Sequence, residues 1–349
     1  LQILNLTGLY AYNLLLITVF VLPIIFFFKK SAGKKLIYLS FFLLTILSLY
    51  IYGNYEINKN KKLLSQIEEK IFVKIISPNF DLKYNLSEKE IEDRFNRLVR
   101  YSSPNKNKKT IFIWPEGVFS GYSYEEILIF RDIVADNFSD KHFIIFGTNK
   151  LDLVSGSFYN SMLIVDNNFE IIERYDKRKL VPFGEFLPFK NSLEFFGLKK
   201  ITEGHGSFLK GNKKNNLSIN NLSILPLICY EVIFTEFVQK SPMDTNLIVN
   251  ISEDGWFGNS IGPDQHFVKS IFRAIENNTF FLRSTNKGIS AIIDNKGSVI
   301  KQLNRNEAGN IEFEVPLIKS NKIKNDLIFF ALLITYLLIF LTYRKINAK

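Results

Sequence analysis

The sequence predicts an α/β domain with a mixed sheet covered by helices, flanked at both ends by membrane-spanning helices. Strand-like and helix-like segments alternate through the middle of the chain, and several strand pairs have hairpin signals. Long uncharged apolar segments lie near both ends. The aromatic content of 15% is high for a soluble protein.

The predicted spans cover residues 9–28, 36–52 and 327–342, all without a charged residue. The first is about 20 residues long, which is the length a bilayer core requires. Short apolar runs also form buried core helices, but the basic flanks and terminal positions favour spans here. We therefore predict membrane segments at 1–53 and 326–349 and one globular α/β domain at 54–325.

Lysine and arginine placement predicts the orientation of these spans. The loop "KKSAGKK" (29–35) and the tail 343–349 are basic, and short basic loops stay in the cytoplasm. The domain at 54–325 would then lie on the opposite face, which in a bacterium is the outer, periplasmic face of the plasma (inner) membrane.

Within the domain, a capping box at Ser87 and Glu90 begins a predicted helix with one apolar face. Hairpin turns are predicted at Asn167–Asn168 and Asn295–Gly297. Further helices are predicted over 125–137, 230–240 and from 263 onward, where the helix runs into a strand. The other predicted strands are 70–78, 110–114, 142–148, 221–229 and 245–252.

Composition limits the classes of partner. The net charge of +10 comes from lysines spread along the chain, and no nucleic-acid-binding motif is present, so we expect no nucleic-acid partner. The single cysteine excludes an internal disulfide. The three histidines are scattered without metal-ligand spacing, so we expect no metal site and no cofactor.

The strongest candidates for chemistry follow strand ends. Glu116 follows one strand, Lys177 and Glu185 follow a hairpin, and Cys229 and Glu231 follow another strand. Loops at strand ends converge in space. A carboxylate, an ammonium and a thiol suit covalent acyl transfer, and a helix beginning at Cys229 would favour its thiolate.

Other interpretations of these residues stay open on pattern alone. A lone buried cysteine is usually inert packing. An isolated glutamate after Trp-Pro is usually a surface turn, and a lysine in "YDKRK" usually lies on a solvated face. A Cys–His pair formed with His205 or His266 is also possible.

Taken together, "WPEG", "YDKRKLVPFGEFLP" and "ICYE" resemble the nitrilase, or carbon–nitrogen hydrolase, superfamily. The resemblance implies an αββα sandwich and a Glu–Lys–Cys triad, here Glu116, Lys177 and Cys229. With "NISEDGWFGNSIGPDQH" and the flanking spans, the chain resembles the apolipoprotein N-acyltransferase branch. That branch has more spans before its catalytic domain, and this chain begins with Leu, so we interpret it as N-terminally truncated.

The resemblance also implies residue roles. Cys229 would take an acyl chain from a phospholipid as a thioester, with Glu116 as general base and acid and Lys177 stabilising the oxyanion. The acceptor would be the terminal amine of a diacylated apolipoprotein. Supporting or substrate-contacting roles fall to Glu185, Tyr230, Glu231 and Trp256.

Two segments near the candidate residues are expected to be mobile or to cover the site. The apolar stretch 183–198 is expected to form a lid or membrane-dipping arm, which substitutions at Phe195 and Phe196 would test. The stretch 254–260 is expected to form a second mobile loop.

Two other functions stay open. One is that of a membrane-tethered amidase or nitrilase that hydrolyses a small amide, and the other is that of a non-catalytic membrane scaffold.

Overall fold

The computed structural model describes residues 1–28, 31–188, 207–212, 216–320 and 326–347. The chain divides into two compact units. One unit contains residues 1–66, 275–278 and 321–349, and the other contains 67–274 and 279–320.

The first unit is helical. Helix α1 (Leu4–Val21), helix α2 (Ala32–Ser65) and the C-terminal helix α8 (Asp326–Asn347) are long and apolar enough to cross a membrane. Helix α2 continues past the boundary predicted at residue 53, because no proline interrupts the polar residues up to Ser65. The sheet-containing unit accordingly begins at Ile67.

The second unit contains two six-stranded sheets among its described residues. The first has the order β12-β1-β2-β3-β4-β5 and the second β11-β10-β9-β8-β7-β6. Their strands are β1 Lys70–Ser77, β2 Thr110–Ile113, β3 His142–Leu151, β4 Phe158–Val165, β5 Ile171–Asp176, β6 Leu217–Ile219, β7 Leu222–Ile228, β8 Leu247–Glu253, β9 Phe280–Asn286, β10 Ser290–Ile293, β11 Val299–Leu303 and β12 Gly309–Pro316.

Helices cover the outer face of each sheet. Helix α3 (Glu88–Ser102) has the predicted capping box, and with α4 (Tyr124–Ile127) and α5 (Arg131–Asn137) it packs on the first sheet. Helices α6 (Thr235–Gln239) and α7 (Gly262–Asn277) pack on the second sheet. The inner faces meet, with the Ser284 hydroxyl donating to the Ile76 carbonyl at 2.8 Å. The predicted αββα sandwich is confirmed.

Strand direction brings the candidate residues to one edge. Strands β1, β2 and β3 run parallel, and β5 has the same direction because two antiparallel pairings separate it from β3. Strands β7, β8 and β9 are parallel in the second sheet. The residues that follow β2 and β5 therefore lie at the same carboxyl-terminal edge of the first sheet. The residues that follow β7 and β8 likewise lie at the carboxyl-terminal edge of the second sheet.

The helix predicted over 230–240 is wrong in its first half. Cys229–Ile233 form a single 3₁₀ turn, and Phe234 is extended with φ −91° and ψ 110° before the short helix α6 begins. A turn of this length has almost no aligned peptide dipoles behind it, so the dipole stabilisation expected for the Cys229 thiolate is largely missing.

Candidate active site

One cavity of about 350 Å³ is lined by Glu116, Lys177 and Cys229 together. Glu116 lies just beyond β2, Lys177 directly follows β5, and Cys229 directly follows β7. The structure thus brings the three candidate residues together, although 61 residues separate the first two in sequence. Glu185, Tyr230 and Trp256 line the same cavity.

The carboxylates of Glu116 and Glu185 share their donors. The Lys177 ammonium donates to Glu185 Oε1 at 2.7 Å and lies 3.5 Å from Glu116 Oε1. The Asn160 amide donates to both oxygens, at 2.7 Å for Glu116 and 2.8 Å for Glu185. The second oxygen of Glu116 accepts from the Glu253 backbone N–H at 3.0 Å. These contacts hold the Glu116 carboxylate and the Lys177 ammonium in one fixed arrangement.

Lys177 is charged despite being buried. Burial alone would lower the pKa of its ammonium, but the negative charges of Glu116 and Glu185 outweigh burial and raise that pKa above its ordinary value. With its side chain only 1% exposed, the ammonium is a fixed positive charge on the cavity wall. Such a charge suits an oxyanion that develops in front of it.

The Cys229 thiol is protonated at rest. Burial raises the pKa of the thiol well above its ordinary value, and the nearby charge of Glu116 raises it further. A neutral thiol is a weak nucleophile, so attack requires a group that removes its proton as the bond forms. The carboxylate of Glu116 lines the same cavity and is the acceptor that this arrangement offers.

Glu231 joins the lysine loop to the cysteine turn. Its fully buried carboxyl accepts from the backbone N–H groups of Arg178 at 2.7 Å, Lys179 at 3.1 Å and Ile228 at 2.9 Å. It also accepts from the Tyr175 hydroxyl. Glu231 is not among the residues that line the cavity, and its contacts connect the loop after Lys177 to the residue before Cys229.

Several apolar residues that line the cavity are also exposed to solvent. Leu82, Tyr84, Trp256 and Phe257 line it, and Trp256 is 48% exposed. The rings of Tyr84 and Trp256 lie 5.8 Å apart, and we call these four residues the apolar rim. Tyr230, which follows Cys229 in the chain, also lines the cavity and packs edge-on against Phe234. An aromatic and aliphatic rim suits a substrate with a hydrocarbon chain.

The stretch proposed as a lid is described only in part. Residues 183–188 belong to the described chain, and Gly184 and Glu185 line the cavity. Residues 189–206 lie outside the described residues. The lid hypothesis and its test at Phe195 and Phe196 therefore stay predictions.

Asn160 and Glu253 both hydrogen-bond to Glu116, and the sequence analysis did not single out either of them. Asn160 lies with Ser161 among the apolar residues of strand β4, and Glu253 ends β8 beside "DGWFG". Both could have been found by applying the strand-end argument to every strand and by asking why an amide interrupts a buried strand.

Glu253 is a second buried carboxyl near the base. Its oxygens accept from the Gly255 N–H at 2.8 Å and the Asn286 amide at 2.7 Å. Burial, with smaller contributions from the charges of Glu116 and Asp254, raises the pKa of Glu253 to about 8. Its carboxyl is therefore mostly protonated at neutral pH.

We expect Glu253 to make the protein less stable as the pH rises. The unfolded side chain has a pKa of about 4.3, so between that value and about 8 the folded state holds a proton that the unfolded state releases. Raising the pH through this window favours unfolding by up to about 1.4 kcal/mol per pH unit. Melting temperatures of wild type and Glu253→Gln in detergent, measured from about pH 5 to about pH 9, should diverge with the steeper fall in wild type.

The control is Glu236→Gln, which changes an exposed carboxylate that pairs with Lys179. It should leave the pH slope of the wild type unchanged. Parallel curves for wild type and Glu253→Gln would contradict the assignment of a raised pKa to Glu253.

His266 lines the same cavity as Cys229, but its ring nitrogens contact groups other than the thiol. Its Nε2 lies 3.1 Å from the Cys229 carbonyl oxygen, and its Nδ1 lies 3.0 Å from Asp254 Oδ1. Both ring nitrogens are thus engaged elsewhere. His205 lies outside the described residues.

Within the described ranges, no group of three or more histidine, cysteine, aspartate or glutamate side chains is placed to hold a metal ion. The cavity instead offers a thiol, an ammonium, carboxyl groups and an amide. This set is sufficient for nucleophilic catalysis with proton transfer.

Comparison with protein families assigns the domain. The sequence profile of the family "Carbon-nitrogen hydrolase" matches residues 88–324, which include all three candidate catalytic residues. The chain belongs to the carbon–nitrogen hydrolase family. The strand-end arrangement of Glu116, Lys177 and Cys229 is thus found on a chain of this family.

Proteins similar in sequence to this carbon–nitrogen hydrolase chain include apolipoprotein N-acyltransferases. The one from Bradyrhizobium diazoefficiens is 35% identical over 257 residues, 70% of this chain and 48% of that protein. The one from Rickettsia typhi is 31% identical over 335 residues, 90% of this chain and 62% of that protein. The one from Allorhizobium ampelinum is 31% identical and covers 69% of this chain and 47% of that protein. The chain spans about half the length of most of these relatives.

Solved structures share this fold. Nit3 of Saccharomyces cerevisiae superposes with a TM-score of 0.52 and 16% identity, over 72% of this chain and 91% of that one. A double mutant of the amidase from Nesterenkonia sp. AN1 in complex with acrylamide superposes with a TM-score of 0.50 and 15% identity, over 71% of this chain and 91% of that one. This likeness shows the shared fold. The relatives and the apolar helices together indicate a membrane protein.

Proposed function

We propose that this chain transfers an acyl chain from a membrane phospholipid to the terminal amine of a diacylated apolipoprotein. The observation that carries the proposal is the meeting of Glu116, Lys177 and Cys229 in a cavity with an apolar aromatic rim. The names of the relatives support the same activity, and they match as much as 90% of the chain.

In the first half-reaction, the Cys229 sulfur attacks the carbonyl carbon of the phospholipid ester. Glu116 takes the thiol proton as the carbon–sulfur bond forms. The oxygen of the tetrahedral intermediate becomes negative and faces the Lys177 ammonium. The ester carbon–oxygen bond then breaks, Glu116 returns the proton to the departing alkoxide, and a lysophospholipid leaves behind a thioester on Cys229.

In the second half-reaction, the neutral α-amine of the lipoprotein attacks the thioester carbonyl. Glu116 accepts a proton from the attacking nitrogen, and Lys177 again faces the oxyanion. The carbon–sulfur bond breaks and Glu116 protonates the leaving sulfur. The products are an amide on the lipoprotein and the original thiol, so the cycle balances without a cofactor.

The apolar rim bears on the competition with water. A thioester open to bulk solvent would lose its acyl chain by hydrolysis, whereas Leu82, Tyr84 and Trp256 give the cavity an apolar lining. We propose that the acyl chain occupies this rim and keeps water from the thioester.

The proposed location is the periplasmic face of a bacterial inner membrane, with three spans and basic cytoplasmic segments. The lysine-rich loop at 29–35 and the basic tail support this orientation. Because the apolar helices belong to the same chain, spans of this kind would tether the sandwich domain to the bilayer that contains both proposed substrates.

The test supplies the membrane-embedded protein with vesicles of phospholipid carrying a radiolabelled acyl chain, together with a diacylated lipopeptide that has a free N-terminal amine. We expect label on the protein first, removable by neutral hydroxylamine as a thioester is, and then on the lipopeptide. An N-acetylated lipopeptide is the matched control acceptor and should receive none.

The alternatives give different results in the same assay. A membrane-tethered amidase or nitrilase would release product from a small amide and leave the lipopeptide unlabelled. A non-catalytic scaffold would bind lipid without any covalent label. Either outcome would contradict the proposed transfer.

A further inference from the structure

The backbone at Cys229 has an unusual conformation. Its φ is +47°, in the left-handed region that residues with a side chain seldom adopt. This conformation costs about 1 to 2 kcal/mol unless surrounding contacts hold it. It turns the chain sharply between strand β7 and the 3₁₀ turn, at the residue that presents the thiol.

His266 contacts this turn directly. Its Nε2 lies 3.1 Å from the Cys229 carbonyl oxygen. Because a carbonyl oxygen only accepts hydrogen bonds, Nε2 must carry the hydrogen and donate it. His266 comes from helix α7, so the contact joins the nucleophile's turn to a helix on the outer face of the second sheet.

The ring of His266 is itself held in place by buried groups. Its Nδ1 lies 3.0 Å from Asp254 Oδ1, and Arg283 Nη2 donates to Asp254 Oδ2 at 2.8 Å. Arg283 also donates to the Asn250 side chain and to the Ile289 carbonyl. His266, Asp254 and Arg283 are all buried, and the ion pair with Arg283 offsets the cost of burying the aspartate.

We propose that His266 is a positioning residue that fixes the thiol-bearing turn through the Cys229 carbonyl, with Asp254 and Arg283 holding the imidazole. The proposal concerns the orientation of the Cys229 sulfur, and its bearing on acyl transfer rests on the proposed function. His266 takes no part in proton transfer to the thiol, because its donor nitrogen is occupied by the carbonyl.

The matched pair of substitutions is His266→Gln and His266→Asn. Both side chains are polar amides, but the glutamine nitrogen reaches about as far as Nε2 whereas the asparagine nitrogen ends near the place of Nδ1. Glutamine can therefore donate to the Cys229 carbonyl and asparagine cannot. The two variants differ mainly in whether the buried carbonyl keeps its donor.

The readout is the alkylation rate of Cys229 by iodoacetamide, measured in the intact protein without lipid. Cys229 is the only cysteine in this sequence, so the label reports one site. We expect His266→Gln to react within about threefold of wild type and His266→Asn about 10- to 100-fold more slowly, the range that follows from an unsatisfied buried acceptor. Acyl transfer should fall in parallel.

Equal alkylation rates for the two variants, with both folded by their melting temperatures, would overturn the proposal. If His266→Asn does not fold, Asp254→Asn is the second variant, because it keeps an oxygen opposite Nδ1 but loses the pairing charge. It should slow alkylation by a smaller factor, and a wild-type rate would count against the proposal. Since no lipid is present, these outcomes stand apart from failure of the acyl-transfer proposal.

Discussion

Replacing Cys229 with alanine is expected to abolish both the thioester label and acyl transfer to the lipopeptide. Removing a catalytic nucleophile from a comparable covalent mechanism lowers turnover by about a million-fold, which is below detection here. The measurement is hydroxylamine-sensitive radiolabel on the protein, followed by label on the acceptor. Transfer at a measurable rate by Cys229→Ala would exclude the thioester mechanism.

Cys229→Gly separates loss of the nucleophile from loss of the fold. Glycine adopts the left-handed conformation at this position without cost, whereas alanine, like cysteine, does so with strain. We expect the glycine variant to be as inactive as the alanine variant and more stable than it by about 1 kcal/mol in free energy of unfolding. A less stable glycine variant would mean that the conformation of this turn is not strained.

Replacing Lys177 with methionine is the second change with a large expected effect. Methionine fills a similar volume but leaves Glu116 and Glu185 without the ammonium that lies between them. Breaking a buried pair of this kind costs about 3 to 5 kcal/mol of stability. Loss of the charge that faces the oxyanion should lower transfer by at least about 100- to 1,000-fold.

Two control substitutions distinguish the loss of stability from the loss of acyl transfer. Lys179→Met removes a half-exposed lysine that pairs with Glu236 and should change neither stability nor transfer by more than about 1 kcal/mol. Lys177→Arg keeps a positive charge but replaces a point charge by a planar fork, so it should preserve more stability than activity. Full activity in Lys177→Met would remove the lysine from the proposed mechanism.

The raised pKa of the Cys229 thiol has a consequence for the protein before any substrate binds. A neutral thiol resists oxidation and alkylation better than a thiolate does. In the proposed mechanism, activation depends on a substrate carbonyl arriving while Glu116 accepts the proton, so nucleophilicity is coupled to binding. This arrangement differs from the dipole-stabilised thiolate that the sequence alone suggested.

Several features of the site followed from local pattern. Glu116, Lys177 and Cys229 were candidates because each follows the end of a strand, and residues after parallel strands share one edge of a sheet. Their selection as a catalytic triad rested on the resemblance to the carbon–nitrogen hydrolase family. The capping box at Ser87 and Glu90 is likewise a local feature and forms as predicted. Charge-free length was enough to indicate the three apolar helices, since it is a property of composition.

Other features had no local signal. Asn160 reaches Glu116 and Glu185 only because β4 lies beside β3 and β5 in the first sheet. Glu231 looked like a pocket residue from its place beside Cys229, but it points away and binds the backbone of the lysine loop. The direction of a side chain in a short 3₁₀ turn depends on the packing around it and not on the order of residues.

By itself, the sequence determined the alternation of strands and helices, the apolar segments and the residue types available for chemistry, because these depend on neighbours along the chain. Only the tertiary structure decided the protonated thiol, the left-handed turn at Cys229 and its contact with His266. Burial and long-range hydrogen bonds set these properties. Both arise only when the two sheets close upon one another, so that residues far apart in sequence share a solvent-poor cavity.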